Sequence, residues 1–158
     1  MSEPATYGFA PPDPLPVTPA AGCSATMTAE KKEAVKAYLG KVGPELRRRH
    51  GKRDHYEPNQ VRDAVVVTGG SVDWVCWAFL LYCSPPVFHD LHVAAGEVCD
   101  RDGMWSSVAG TFFSGNAAFD PMAVSDAILS GAAGVADAAA SGAGWLADID
   151  WGGLLDWG

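Results

Sequence analysis

Residues 72–83, with the sequence VDWVCWAFLLYC, decide how the chain must fold. Every residue of this stretch except Asp73 is apolar, so a helix built from it is apolar on nearly all of its faces. Such a helix is stable only where other elements cover it on every side. We therefore expect residues 72–83 to form the central helix of the hydrophobic core, with Ser71 as its N-cap.

The chain before the central helix predicts two further helices. The first begins after Thr28, a residue type that caps helices, and carries an apolar stripe at helical spacing. Gly43-Pro44 should kink or split it. The second begins at Pro58, which suits a first helical turn, and ends at Gly69-Gly70. The β-branched run at residues 65–68 leaves a short strand as an alternative there.

Two more helices are predicted after the central one. One follows Ser84-Pro85-Pro86 and closes at Gly96, with Phe88 and His92 on its buried stripe. The other begins after Asp100, which can cap it. Strand signals are otherwise absent and the connections are short. These patterns predict an all-α fold, a small orthogonal bundle of about five short helices.

The two ends of the chain differ in composition from the middle. The first 22 residues are rich in Pro and Ala and lack the basic and apolar runs of a secretory signal. After residue 120, Asp126, Asp137 and Asp148 recur every eleven residues, a period of three helical turns. We expect a disordered Pro/Ala-rich arm at 1–27, a helical domain at 28–120 and an Ala/Gly/Asp repeat tail at 121–158.

Charge is segregated along the chain. Nine of the eleven basic residues lie within residues 31–53, whereas one basic residue faces eleven acidic ones after residue 63. This division indicates either self-complementarity or two different partners. A net charge of −8 disfavours binding of the whole chain to nucleic acid or to an anionic membrane. The densest basic patch comprises Arg47, Arg48, Arg49, Lys52 and Arg53; it lacks the interleaved aromatics that stack on bases.

Several sequence blocks resemble a family of small bacterial proteins known only as a domain of unknown function. The blocks are YEPNQV (56–61), CWAFLLYCS (76–84), FHDLH (88–92), GEVCD (96–100), Met104 and FFSGN (112–116). The resemblance spans about residues 34–120 and implies a small helical cytosolic domain. It supplies no activity, so no functional residue is carried over. The arm and the repeat tail are expected to lie outside it.

The cysteines and histidines offer the nearest approach to a chemical site. Cys76 and Cys83 on one helix would lie about 10 Å apart, too far for a disulfide, so all four cysteines are expected to be buried and reduced. His89 and His92 share a helix face, and Cys99 would add a soft thiolate ligand for zinc. The favoured interpretation of His92 is a hydrogen-bonded core histidine. We expect no cofactor.

Catalytic motifs are missing from the sequence. A Cys–His nucleophile can be composed from Cys83 or Cys99 with His89 or His92, but nothing marks either thiol as activated. We therefore predict that the chain is not an enzyme. The longest apolar stretch is far shorter than the roughly 20 residues that cross a bilayer. These features favour a cytoplasmic protein without a membrane partner.

The C-terminus supplies the leading functional hypothesis, a non-enzymatic protein–protein interaction module. Residues 145–157 hold three of the six tryptophans beside acidic residues, a composition typical of anchors for a partner's groove. Asp126, Asp137 and Asp148 are expected on the solvated side of the repeat. An open alternative is that the tryptophans fold onto the domain's own surface. The expected partner-binding residues are Trp145, Leu146, Trp151, Leu154, Leu155 and Trp157.

Two other functions remain open. One is an acidic, immunity-type protein that neutralises a basic protein partner with its acidic half. The other is a metal- or thiol-dependent enzyme, which no motif supports. The partner protein itself is unidentified, and residues 121–144 offer a surface for self-association.

Overall fold

The computed structural model describes residues 23–131, and every regular element within that range is a helix. None of these helices is both long enough and apolar enough to cross a membrane. In chain order the elements are α1 (Ala29–Ala37), a π-helical turn (Tyr38–Val42), α2 (Gly43–His50), α3 (Pro58–Val67), α4 (Val75–Tyr82), α5 (Pro85–Ala94), α6 (Arg101–Phe112) and α7 (Pro121–Leu129). Helix α1, the π-helical turn and α2 follow one another without a break, so the described residues form six helical segments. This confirms the all-α prediction.

Helix α4 lies at the centre of the core, as its composition predicts. Its last six residues, 77–82, are all buried, with 5% exposure or less. The helix begins at Val75, three residues later than expected, and Ser71 does not cap it. The Ser71 carbonyl instead accepts from the Tyr38 hydroxyl, which ties the segment before α4 to the π-helical turn.

Residues 65–67 of the β-branched run belong to helix α3, so the alternative of a short strand there is wrong. Val65 is fully buried while Val66 and Val67 are exposed, which is the periodicity of a helix surface and not the alternation of a strand. The Gln60 side chain accepts a hydrogen bond from the Glu57 backbone at 3.0 Å and stabilises the helix start. At the other end, the Thr68 hydroxyl donates to the Ala64 carbonyl at 2.8 Å.

The predicted break at Gly43-Pro44 takes the form of the π-helical turn. Proline lacks the backbone N–H that an α-helix needs, and its ring clashes with the carbonyl four residues earlier, here that of Gly40. A wider π turn just before Pro44 accommodates this without ending the helix. Gly43 itself is buried where α2 meets α4 and α7, and a Cβ at this position would overlap the hydroxyls of Tyr82 and Ser125.

The packed body extends past residue 120, where the change of composition suggested its end. Helix α7 packs on α2, and Met122, Val124 and Ser125 are buried. The Asp120 side chain caps α7 by accepting from the Met122 backbone at 2.9 Å. The segment after residue 120 is rich in small residues, yet α7 keeps Met122, Val124 and Ile128 on a face that the core covers.

The body also extends further toward the N-terminus than predicted, because residues 23–27 of the expected arm pack on it. Cys23 is 1% exposed, and the buried Lys31 ammonium donates to the carbonyls of Ser24 and Thr26 at 3.0 and 3.1 Å. Ser107 on α6 donates to the Ala25 carbonyl. The rest of the predicted arm, residues 1–22, and the tail from residue 132 onward lie outside the described residues.

The Gly43 junction generates a stability prediction. We expect Gly43→Ala to lower the free energy of unfolding by about 1–3 kcal/mol, because the added methyl group overpacks the contact with Tyr82 and Ser125. Gly110→Ala in α6 is the matched control: nothing lies within 4 Å of its Cβ position, so the same substitution should stabilise by about 1 kcal/mol. Urea unfolding of both variants measures the difference; equal effects would contradict the close packing at Gly43.

Candidate functional site

A basic cluster lies at the C-terminal end of α2 and in the loop that follows. It consists of Arg47, Arg48, Arg49, Lys52 and Arg53, and the structure brings these predicted residues together. The three arginines occupy the last turn of α2, where the helix dipole favours positive charge. The cluster therefore has a local structural reason to exist before any partner is considered.

Two carboxylates of the chain form ion pairs with most of these basic side chains. Glu45 is 2% exposed and forms ion pairs with Arg48 and Arg49 one turn along α2. Asp126 on α7 accepts from Arg47 Nε at 3.0 Å, and its other oxygen lies 3.0 Å from Lys52 Nζ. Four of the five basic side chains are thus ion-paired.

Asp126 was expected on the solvated side of the repeat, and this expectation is wrong. Its side chain is only 31% exposed, because the packing of α7 on α2 turns the first repeat unit toward the basic cluster. Burial alone would raise the pKa of this carboxyl, but hydrogen bonds and charge from Lys52 and Arg47 outweigh it and lower the pKa. Of the two interpretations of the charge segregation, self-complementarity describes this part of the chain.

A second cluster combines sulfur and imidazole groups from distant parts of the sequence. It comprises Cys23 before α1, Cys76 on α4, His92 on α5 and Cys99 in the α5–α6 connection; we call it the Cys/His cluster. Cys23 and Cys99 form a disulfide with Cα atoms 4.8 Å apart. The expectation that these two cysteines are reduced is therefore wrong. Cys76 and Cys83 are outside any disulfide, as predicted.

The donor atoms of this cluster lie close together. The sulfurs of Cys23 and Cys76 and a ring nitrogen of His92 are all within 4.8 Å of one another. His92 is 6% exposed, and its Nδ1 lies 2.7 Å from the Phe88 carbonyl, which confirms the prediction of a hydrogen-bonded core histidine. Because a carbonyl oxygen can only accept, Nδ1 carries a proton, and in the neutral imidazole Nε2 is then the nitrogen with the lone pair.

The surroundings of the cluster hold its thiol in the protonated form. Burial is the main cause that raises the pKa of Cys76 to about 11, with Glu97 adding to the shift and Lys31 opposing it. Burial likewise raises the pKa of Cys83 to about 12. Neither environment resembles that of an activated nucleophilic cysteine, whose pKa is lowered. A cleft of about 390 Å³ opens beside Cys23, Cys76 and His92.

The structure changes the candidate metal ligands as well. His92 and Cys99 belong to the Cys/His cluster, whereas His89 is exposed and is not among its donors. Cys23 and Cys76 lie outside the predicted ligand set, because spacing along one helix does not indicate donors that are up to 76 residues apart in sequence. The even number of cysteines was the one signal that pointed beyond local spacing. The predicted partner-binding residues at 145–157 lie outside the described residues.

Comparison with known proteins identifies a family but no activity. The sequence model of a family of unknown function, DUF6559, matches residues 27–149. This match bears out the resemblance to a family of unknown function and extends it beyond residue 120, so that it includes much of the repeat. No curated protein and no solved structure is significantly similar to the chain.

The lowered pKa of Asp126 generates a pH prediction. The ion pairs with Arg47 and Lys52 should stabilise the fold at neutral pH and lose their effect as pH falls through the lowered pKa, below the ordinary value of 3.8. Because the three side chains are between 31% and 65% exposed, the contribution should stay below about 1 kcal/mol and shrink with added salt. Asp126→Asn should therefore destabilise at pH 7 but not at pH 2. Urea unfolding at both pH values checks this, and an equal loss at pH 2 would contradict it.

The Cys23–Cys99 disulfide generates a second prediction. The bond joins residues 76 positions apart, so its reduction releases a large loop and should lower the free energy of unfolding by about 2–4 kcal/mol. The double variant Cys23→Ala/Cys99→Ala should be insensitive to reductant. Unfolding in chelator-containing buffer, with and without a phosphine reductant, measures both effects. If the wild-type protein has the same free energy of unfolding with and without reductant, this result would argue against the bond.

Proposed function

Since the chain belongs to the family of unknown function DUF6559, we propose from its own residues that it is a protein–protein interaction module. In this proposal the helical body presents an acidic, tryptophan-rich C-terminal segment to a partner protein. The observation that carries it is the docking of α7 on α2, with Asp126 held by Arg47 and Lys52. This contact anchors the start of the acidic repeat to a folded body.

The use of tryptophan in the chain supports the proposal. Three of the six tryptophans belong to the described body, where Trp77 is fully buried in α4. Trp105 stacks on Phe119 with ring centroids 4.2 Å apart and donates to the Ala117 carbonyl at 2.8 Å. The other three lie within residues 145–157 among acidic residues. Tryptophan is enriched among the residues that dominate binding energy at protein interfaces.

The path of the chain supports it too. Gly131 has a φ of 85°, the left-handed conformation in which helices commonly end, so α7 closes there, about one turn beyond Asp126. The family match continues to residue 149 and includes Asp137, Trp145 and Asp148. The segment proposed to bind a partner therefore overlaps the region that characterises the family.

A second candidate is neutralisation of a basic protein by the acidic half. The specific observation in its favour is that Asp126 already engages two basic side chains of its own chain. A basic partner would be recognised by the same chemistry. Capture of such a partner should weaken strongly between low and physiological salt, because screening acts on exposed charges, whereas capture through tryptophan anchors should change little.

The test compares four baits in affinity capture at two salt concentrations. They are the full chain, a chain ending at Gly131, the triple variant Trp145→Ala/Trp151→Ala/Trp157→Ala, and the matched charge variant Asp137→Asn/Asp148→Asn/Asp156→Asn. The truncated chain should melt within a few degrees of the full chain and lose the partner. The tryptophan variant should lose it as well, while the charge variant retains it.

Each other outcome contradicts a stated part of the proposal. If the truncated chain unfolds or aggregates, the tail is part of the core. If the tryptophan variant still captures the partner while the charge variant does not, neutralisation by charge replaces tryptophan anchoring. Direct titration of the purified partner, followed by tryptophan fluorescence, then measures the affinity of each bait.

A further inference from the structure

We propose that reduction of the Cys23–Cys99 disulfide converts the Cys/His cluster into a binding site for Zn²⁺, with Cys23, Cys76, His92 and Cys99 as its ligands. This inference is independent of the interaction function. It assigns a metal site to four residues that the fold brings together from the N-terminal segment, α4, α5 and the α5–α6 connection.

The donor set matches the chemistry of structural zinc. Three thiolates and one imidazole form a Cys₃His set, one of the common tetrahedral combinations. With Zn–S bonds of about 2.3 Å, two sulfur ligands in a tetrahedron lie about 3.8 Å apart. The sulfurs of Cys23 and Cys76 and the His92 nitrogen are already within 4.8 Å of one another, so adjustments of about an ångström bring them to ligating distances. The Cys99 sulfur is bonded to the Cys23 sulfur and therefore lies beside the other donor atoms.

The state of His92 favours ligation. Its Nδ1 donates to the Phe88 carbonyl at 2.7 Å, and its ring packs against the Phe88 ring with centroids 4.2 Å apart. Histidine ligands of metals almost always donate their second ring N–H to a carboxylate, carbonyl or water, which fixes the ring and the tautomer. The hydrogen bond to Phe88 is such a contact, and in the neutral imidazole that binds a metal it makes Nε2 the ligating nitrogen.

The position of the cluster also suits a metal ion. Cys23 and His92 are buried, Cys76 and Cys99 are half-buried, and the adjacent cleft of about 390 Å³ provides a route from solvent. Asp73, Glu97 and Arg62 line the same cleft, so its charged lining is negative by one. The disulfide alone does not explain why a third cysteine and an oriented histidine lie against it.

The two states of the cluster exclude one another. A dithiol reductant reduces the Cys23–Cys99 bond to two protein thiols and is itself oxidised to a disulfide. Zn²⁺ then binds three thiolates and one neutral imidazole, and three protons leave the cysteines. In the oxidised state two of the three sulfurs are bonded to each other, so the tetrahedral set is incomplete. Disulfides are rare in reducing compartments, where the metal-binding state would prevail.

The test uses the full chain purified without a polyhistidine tag. Protein reduced with a non-chelating phosphine should bind about one equivalent of Zn²⁺ by elemental analysis, and Co²⁺ should give the thiolate charge-transfer and ligand-field bands of a tetrahedral site. Protein oxidised to the disulfide should bind neither ion. Reduced protein that holds well under one equivalent, or a Co²⁺ spectrum without thiolate bands, would overturn the proposal.

Matched variants identify the ligands. Cys76→Ala should weaken Co²⁺ binding more than about 100-fold, because loss of a group that only hydrogen-bonds a metal ligand already costs about 10–100-fold in metal affinity. Cys83→Ala should leave Co²⁺ binding nearly unchanged. His92→Gln should show the same loss and His89→Gln should not. All four variants can still form the Cys23–Cys99 disulfide, so circular dichroism of their oxidised forms verifies folding. A ligand variant that folds and binds like wild type, or a control that loses binding equally, would contradict the assigned set.

Discussion

The structure depends on one constraint, the need to cover α4 on every side. Residues 77–82 have no polar face to offer solvent, so neighbouring elements must enclose them. Close packing is seen where α2, α4 and α7 meet, because Gly43 lies against the hydroxyls of Tyr82 and Ser125 there. Tyr82 also donates to the Tyr38 carbonyl at 2.9 Å and satisfies a backbone group in the π-helical turn. Through Tyr82, α4 thus contacts the π-helical turn and lies beside the junction of α2 with α7.

Features encoded locally could be predicted from the sequence. Thr28 and Asp100 cap their helices as expected, accepting from the backbones of Lys31 and Gly103. The buried stretch of α4 and the hydrogen-bonded His92 follow from hydrophobic pattern. Ser71 does not cap α4, and its carbonyl accepts from the distant Tyr38, a contact that no local pattern reveals. Local rules hold wherever no other element competes for the same group.

Both candidate sites depend on long-range placement, which explains why the sequence predicted them in part. The basic cluster was visible because its members are neighbours in sequence, but its ion pair with Asp126 joins residues 79 positions apart. The Cys/His cluster draws one residue from each of four segments. Composition alone placed the domain boundary at residue 120, because Ala and Gly resemble a linker; the buried Met122 and Val124 place α7 inside the body instead.

The Cys23–Cys99 bond also divides the chain topologically. It closes a covalent ring that contains α1 to α5, while α6 and α7 lie outside this ring. Peptide-bond cleavage anywhere between the two cysteines would leave both fragments joined through sulfur, whereas after cleavage between α6 and α7 only noncovalent packing on α2 and the π-helical turn would hold α7. Local opening of α7 can therefore proceed while the ring stays closed, which gives the two halves of the body different routes of unfolding under oxidising conditions.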